Sequence, residues 1–149
     1  MSSQLVAQPA WAIKDYLETR DGSLHINGVD ALALVRAHGS PLYVFSAPRI
    51  SANIARLKRA AEAVKHPCRY FYASKANSNM AVLKTVRDAG IDIEVNSGGE
   101  LFKALRAGFR PEQIIFNGTS KTDEELDEAV RARIFSIKDR KSTRLNSSH

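Results

Sequence analysis

Short apolar runs alternate with amphipathic stretches along most of this chain, at a regular spacing. Leu24-His25-Ile26 reads as a short strand with a turn at Asn27-Gly28, followed by a helix over 29–38 that Gly39 and Pro41 stop. Leu42-Tyr43-Val44-Phe45 reads as another short strand. Ser46 has the character of a helix N-cap with Pro48 in the first turn. Ile50, Ile54, Leu57, Ala61 and Val64 then fall on one face of the helix it opens. The order repeats as strand 69–73, helix 80–89, strand 91–95, helix 99–107, strand 114–116, helix 123–131 and a last strand over 134–137. Each helix must return the chain so that the next strand starts in the same direction, so the array predicts an α/β fold with a parallel sheet. Periodicity alone leaves an open sheet and a closed barrel equally allowed.

The 149 residues are 44% hydrophobic and 26% charged, the balance of a globular domain with a core of its own. The net charge of +6 raises the question of nucleic acid. No basic block with interleaved aromatics is present, so the charge reads as solvated surface and no nucleic-acid partner is expected. His25, His38, His66 and His149 have no ligand spacing among themselves or with Cys68, and no metal site is expected. Cys68, the single cysteine, is expected to be a small buried hydrophobe beside the strand over 69–73. Met1 to Ala10 lacks the charged start and apolar core of a secretory signal, and 18 consecutive apolar residues occur nowhere. No membrane contact and a cytoplasmic location are expected.

Lys75 carries the candidate chemistry. It follows the apolar run Tyr70-Phe71-Tyr72-Ala73 and sits in the polar segment Ser74-Lys75-Ala76-Asn77-Ser78-Asn79. A lysine amine becomes a nucleophile when burial or nearby charge lowers its pKa, and the end of a buried strand can supply both. The plain alternative is a solvated loop lysine. Ser97 with Glu100, and Thr122 with Glu125, have the S/T-x-x-E spacing of capping boxes, which start helices whatever the function. Gly98 and Gly99 leave room for a close backbone approach or a routine strand-to-helix turn.

Three ordered segments resemble one family. Tyr72-Ala73-Ser74-Lys75-Ala76-Asn77, then Glu94-Val95-Asn96-Ser97-Gly98-Gly99-Glu100-Leu101, then Phe116-Asn117-Gly118-Thr119-Ser120-Lys121-Thr122 are similar to the ornithine/diaminopimelate/arginine decarboxylases, and to the diaminopimelate branch above all. The resemblance runs from about Gly28 to Arg131. It implies the N-terminal part of a (β/α)8 TIM barrel of the alanine racemase-like type over 42–138, with 1–41 contributing to an accompanying β domain. It also implies pyridoxal 5'-phosphate as cofactor, bound as a Schiff base on Lys75, with Lys75 the catalytic residue and Ala73 and Glu94 beside the cofactor. Many family members carry an aspartate where this chain has Glu94, so Glu94 takes a supporting role, and capping of a basic neighbour is its alternative. The loop over 117–121 would line the site. The implied activity is decarboxylation of a small-molecule amino acid, meso-diaminopimelate to L-lysine and carbon dioxide, in a homodimeric full-length enzyme. The ring-stacking histidine, glycine-rich phosphate loop, pyridine-nitrogen partner and second-subunit cysteine segment would lie past residue 138, so the segment alone is expected to be inactive.

Ornithine, arginine or siderophore-pathway substrates are the alternatives within the family. Alanine racemase continues after Lys-Ala-Asn with an aromatic-Gly-His-Gly run, whereas Ser78-Asn79-Met80-Ala81 follows here. A non-catalytic pyridoxal-phosphate homeostasis protein is a further alternative, and Ser97-Gly98-Gly99-Glu100 with the N-terminal strand favours the decarboxylase. A basic binding domain has only the charge in its favour. Residues 139–149, Asp-Arg-Lys-Ser-Thr-Arg-Leu-Asn-Ser-Ser-His, resemble the in-frame translation of a sequencing-library adapter and are expected to be non-native, the gene continuing past Lys138. Without Arg140, Lys141, Arg144 and Asp139 the net charge falls from +6 to +4. Independent reads of the locus are expected to diverge from this sequence at the Asp139 codon, and genomic DNA encoding the same eleven residues would refute the adapter origin.

Overall fold

The structure is a computed structural model that describes residues 10, 12–64 and 66–138. The expected tail over 139–149 therefore lies outside the described residues. The chain divides into two compact units, Met1–Ile50 and Ser51–His149.

The first unit holds a three-stranded antiparallel sheet of β1 (Leu17–Arg20), β2 (Ser23–Ile26) and β3 (Val29–Asp30), in that order. Two-residue hairpins join the strands at Asp21-Gly22, with φ 51° and 76°, and at Asn27-Gly28, with φ 51° and 81°. Positive φ at both central residues gives a turn whose twist matches the flanking strands, and Asp-Gly and Asn-Gly adopt it at little strain. The Asp30 carboxylate then accepts from the backbone N–H groups of Leu32 at 2.6 Å and Ala33 at 3.1 Å, which starts helix α1 (Ala31–His38). Gly39, with φ 83°, ends it.

Leu42–Phe45 does not form the expected strand. A strand needs a second backbone to complete its hydrogen bonds, and these residues lie in no ladder among the described residues. Their apolar side chains stay open, with Tyr43 86% and Phe45 59% exposed. Helix α2 (Ala47–Ala61) follows, opened as expected by Ser46, whose Oγ accepts from the Arg49 N–H at 3.2 Å.

The second unit is the repeating array: β4 (Phe71–Ala73), α3 (Met80–Asp88), β5 (Asp92–Val95), α4 (Gly98–Arg106), β6 (Ile114–Phe116), α5 (Asp123–Arg131) and β7 (Ser136–Ile137). The four strands are parallel and lie in chain order. Their register sets Ala73, Glu94, Ile115 and Ser136 side by side across the sheet. Strand β5 alternates, with Ile93 and Val95 fully buried and Asp92 and Glu94 half-buried on the opposite face. The buried face packs with Leu83 and Val86 of α3 and Leu101 and Ala104 of α4, none of which is exposed to solvent.

Arg69 closes the N-terminal end of the sheet. Its guanidinium pairs with Asp92 at 2.5 Å, donates to the Glu112 carbonyl at 3.0 Å, and lies 5.1 Å from the Phe71 ring centre and 4.2 Å from that of Phe135. Gln113 Nε2 donates to the other Asp92 oxygen at 3.2 Å. Cys68 is exposed rather than buried, with its thiol against the His66 carbonyl at 3.4 Å. It precedes β4, and its neighbours in the chain belong to an open connection rather than to the ladder.

Leu101 is fully buried on α4. Leu101→Ala in the full-length protein is expected to cost about 2–5 kcal/mol, read by urea denaturation. A loss well under 1 kcal/mol would place Leu101 outside the core.

Candidate functional site

Strand β4 runs directly into a 3-10 turn, Ser74–Ala76. Ser74 is fully buried, and it is the one buried polar residue among those described. Its hydroxyl donates to Glu100 Oε2. On the return side the Tyr72 phenol donates to the Asn77 carbonyl at 3.0 Å, and burial raises its pKa, so it stays a protonated donor near neutral pH. Asn77 Oδ1 accepts from the Asn79 N–H, and Asn79 in turn caps α3. Lys103 of α4 reaches Ser78 Oγ at 3.0 Å.

The turn is thus held on both sides of Lys75 while Lys75 itself is exposed and has no hydrogen-bond or ion-pair partner among the described residues. This corrects the expectation that a buried strand end encloses the amine. Strand β4 is an edge strand, and none of the other strands in its sheet lies on that side. Ala73 is half-buried and Ala76 exposed.

Glu94 lies beside Ala73 in the register and accepts from Asn117 Nδ2 at 3.1 Å. A neutral amide from the third motif, not a basic side chain, is its partner. The register and this bond bring Ala73, Glu94 and Asn117 together at the C-terminal ends of three adjacent strands, with Lys75 two residues past Ala73. The rest of the third loop folds on itself, as Lys121 Nζ donates to the carbonyls of Gly118 at 2.5 Å and Lys138 at 2.7 Å.

The two expected capping boxes differ. Thr122 and Glu125 form a complete one. Ser97 Oγ accepts from the Glu100 N–H at 3.3 Å, but the Glu100 carboxylate does not return the bond. Its Oε2 instead accepts from the Asn96 N–H at 2.9 Å and from Ser74. Glu125 also reaches beyond its own helix and accepts from the Gly98 N–H at 2.7 Å. Its side chain fills the space beside Gly98, where an added Cβ would meet Glu125 Cγ at 3.0 Å, so Gly98 makes room for a carboxylate and not for a ligand.

Asn96 has a feature that its sequence position did not flag. Its Nδ2 is buried and has no hydrogen-bond partner among the described residues. Its carbonyl is approached so closely by Gly118 that a Cβ there would overlap it. A polar residue two places after Glu94, on the same side of the strand alternation, is the signal that marks it.

The sequence model of the pyridoxal-dependent decarboxylase pyridoxal binding domain matches residues 51–143. The chain belongs to the pyridoxal-dependent decarboxylases. The diaminopimelate decarboxylase of Methanothermobacter thermautotrophicus is 41% identical over 115 residues, 76% of this chain and 27% of that protein. That of Bacillus subtilis is 39% identical over 117 residues, 78% of this chain and 27% of that protein. Among solved structures, diaminopimelate decarboxylase from M. jannaschii in complex with L-lysine aligns with a TM-score of 0.77 at 36% identity, over 84% of this chain and 30% of that one. Ornithine decarboxylase from Entamoeba histolytica aligns at 0.62 and 25% identity, over 72% and 33%. The chain spans about a quarter of the length of the curated relatives it matches.

These neighbours are fold-type III barrels, so the four parallel strands are the N-terminal part of a (β/α)8 barrel, as the sequence predicts. The cofactor of this decarboxylase domain is pyridoxal phosphate. The residues present fit it: an exposed primary amine without a partner among the described residues can meet an aldehyde, and the small side chain of Ala73 leaves space at the strand end before it. Among the described residues no helix is long and apolar enough to cross a membrane, and no group of three or more His, Cys, Asp or Glu could hold a metal ion.

The Gly98 and Thr122 N–H groups hold the Glu125 carboxyl below its ordinary value of 4.5, with the Lys121 charge adding to them and burial opposing. A depressed carboxyl stabilises the fold above pH 4.5, and that contribution is lost as pH falls through the lower folded value. Glu125→Gln is expected to lower the melting temperature at pH 7 and to flatten its decline below pH 4.5. An unchanged acid limb would refute the linkage.

Proposed function

We propose that the full-length protein is a pyridoxal-phosphate-dependent carboxy-lyase that converts meso-diaminopimelate to L-lysine and carbon dioxide, and that this chain supplies its lysine. The observation that carries the reading is the Lys75 amine, exposed and unpartnered on a turn fixed at either side, at the C-terminal rim of the sheet where barrel chemistry gathers. The names and identities of the relatives support the substrate. Among solved structures, diaminopimelate decarboxylase from M. jannaschii aligns at 36% identity and ornithine decarboxylase from Entamoeba histolytica at 25%.

In this reading Lys75 Nζ would hold the cofactor by its aldehyde carbon, with loss of water, and would give up that carbon to the substrate's amino group. The cofactor ring, when bound, takes up the electron pair left as the carboxyl group departs as carbon dioxide. Ala73 leaves the strand end open to the ring. Glu94, its carboxylate oriented by Asn117, places negative charge near the positively charged nitrogen that Lys75 serves. Ser74 and Glu100 keep the turn from shifting as Lys75 lets go of the cofactor. Residues 1–41 contribute to an accompanying β domain and 42–138 to the barrel. A homodimer, which rests on the resemblance, and a cytoplasmic location complete the reading.

Borohydride reduction of the full-length protein loaded with pyridoxal phosphate is expected to fix the cofactor to the peptide containing Lys75. Lys75→Ala is expected to abolish carbon dioxide release from diaminopimelate with the fold intact, since Lys75 is exposed at a strand end and lies outside the core. Label on another lysine would overturn the role of Lys75. Faster turnover of L-ornithine or L-arginine would overturn the substrate alone.

A further inference from the structure

Past Ala73 the chain leaves the sheet. Strand β4 is an edge strand, its paired register ends at Ala73 beside Glu94, and Ala73 gives no side-chain cap to the 3-10 turn that follows. Lys75 thus lies beyond the last rung of the ladder. Two bonds flank it, and they differ in where they lead. The Tyr72 phenol donates to the Asn77 carbonyl at 3.0 Å, within the same stretch of chain, so it fixes the shape of the turn without tying it to another element. The Ser74 hydroxyl donates to Glu100 Oε2 on α4, and the same oxygen accepts the Asn96 N–H at 2.9 Å at the exit of β5. A further bond to α4, from Lys103 to Ser78 Oγ at 3.0 Å, is exposed, where water competes for both groups.

Ser74 is fully buried and is the residue immediately before Lys75. Consecutive Cα atoms stand about 3.8 Å apart, so a shift of one is handed to the other. Reacting groups need placement to within about 0.5 Å, and a misplacement of about 1 Å can slow a reaction about a hundredfold. Lys75 has no partner of its own among the described residues, so nothing at the amine end corrects a shift at the backbone end.

We propose that Ser74 is a positioning residue for the amine exchange at Lys75, its buried hydroxyl acting through Glu100 to set where Nζ stands. The inference rests on the assignment of Lys75 above and deepens it, since it assigns the rate of exchange to a side chain in the covered layer that does not touch the ligand. In the exchange, the bonds from Nζ to the cofactor's aldehyde carbon break as those from the substrate nitrogen to that carbon form, and two hydrogens pass from the substrate nitrogen to the departing amine. Both nitrogens must share one carbon, so the approach is narrow and depends on the position of Nζ. Holding the substrate before the exchange makes no demand on Ser74.

The test uses Ser74→Ala, Glu100→Gln and the double variant in the full-length protein loaded with pyridoxal phosphate. Alanine nearly matches serine in size and leaves the Asn96 N–H on Glu100, while Gln keeps an oxygen for both donors at the weaker strength of a neutral acceptor. Mixing with diaminopimelate under stopped flow reads the exchange from the visible absorption of the cofactor. Ser74→Ala is expected to lower the maximal exchange rate about tenfold, with the diaminopimelate concentration that gives half of it unchanged. Glu100→Gln is expected to lower the rate by a smaller factor, and the double variant to be no slower than Ser74→Ala, because the path to Lys75 is already cut. A Ser74→Ala protein that melts lower yet exchanges within about twofold of the parent would show a bond serving stability alone and overturn the proposal. A raised half-saturating concentration at an unchanged maximal rate would place Ser74 in substrate binding and overturn it as well. A double variant slowed by the product of the two single factors would show that the residues act independently, which overturns the path through Glu100. Borohydride labelling separates this proposal from the one beneath it: Lys75 labelled in the parent leaves only Ser74 in question, whereas Lys75 unlabelled in the parent removes the function on which it rests.

Discussion

The Glu100 carboxylate joins two turns that the chain places more than twenty residues apart. One of its oxygens accepts both the Ser74 hydroxyl, at the exit of β4, and the Asn96 N–H, at the exit of β5. Hydrogen bonds to an ionised carboxylate are about twice as strong as neutral ones, and half-buried surroundings strengthen them further. Glu125 repeats the device one unit along, taking the Gly98 N–H at the start of α4 while it closes its own capping box. The third residue of each helix thus reaches back to the preceding β/α unit. The strand-end turns are bound to one another as a rim, and Lys75 stands in the sequence immediately after the Ser74 end of the Glu100 bridge.

The two ends of the sheet are built for different purposes. At the N-terminal end, Arg69, Asp92, Gln113 and the Glu112 carbonyl satisfy one another between two aromatic rings. At the C-terminal end, Lys75 has no partner among the described residues, and one buried amide hydrogen-bonding group is unmet among them. In barrels the N-terminal face serves stability and the C-terminal face serves chemistry. Local departures from full satisfaction collect where function needs them, held in place by structure that is otherwise complete. The fully buried Ser74 shows how the two demands meet: its backbone delivers Lys75 to the open rim while its hydroxyl anchors the turn in the covered layer.

The β/α array from residue 69 onward was legible in the sequence because its signals are local. Apolar runs fix the strands, apolar periodicity fixes the helices, and Asn79, Ser97 and Thr122 start α3, α4 and α5 with their own side chains. Strand β1 and the hairpin at Asp21-Gly22 were not among the expected elements, although the turn dipeptide between Leu17-Glu18-Thr19 and Leu24-His25-Ile26 is a local sign of them. Lys75, Ala73 and Glu94 were found because the motifs around them are contiguous in the chain.

The remaining features needed the tertiary structure, since each depends on what stands opposite in space. Leu42–Phe45 has strand composition, but a ladder is a property of two segments and none forms there among the described residues. Cys68 has the size of a core residue, yet burial is set by neighbours from elsewhere in the fold, and it is exposed. Glu100 has capping-box spacing, and only the approach of β4 to α4 diverts its carboxylate to Ser74. Asn96 reads as one polar residue in a turn. That its amide nitrogen is buried without a partner among the described residues, and that Gly118 closes on its carbonyl, emerges only from the fold. Sequence determines the order of elements and marks the candidate lysine because both are written in consecutive residues. Which acceptor each donor finds is decided by packing, because hydrogen-bond partners are chosen among groups that only the fold brings together.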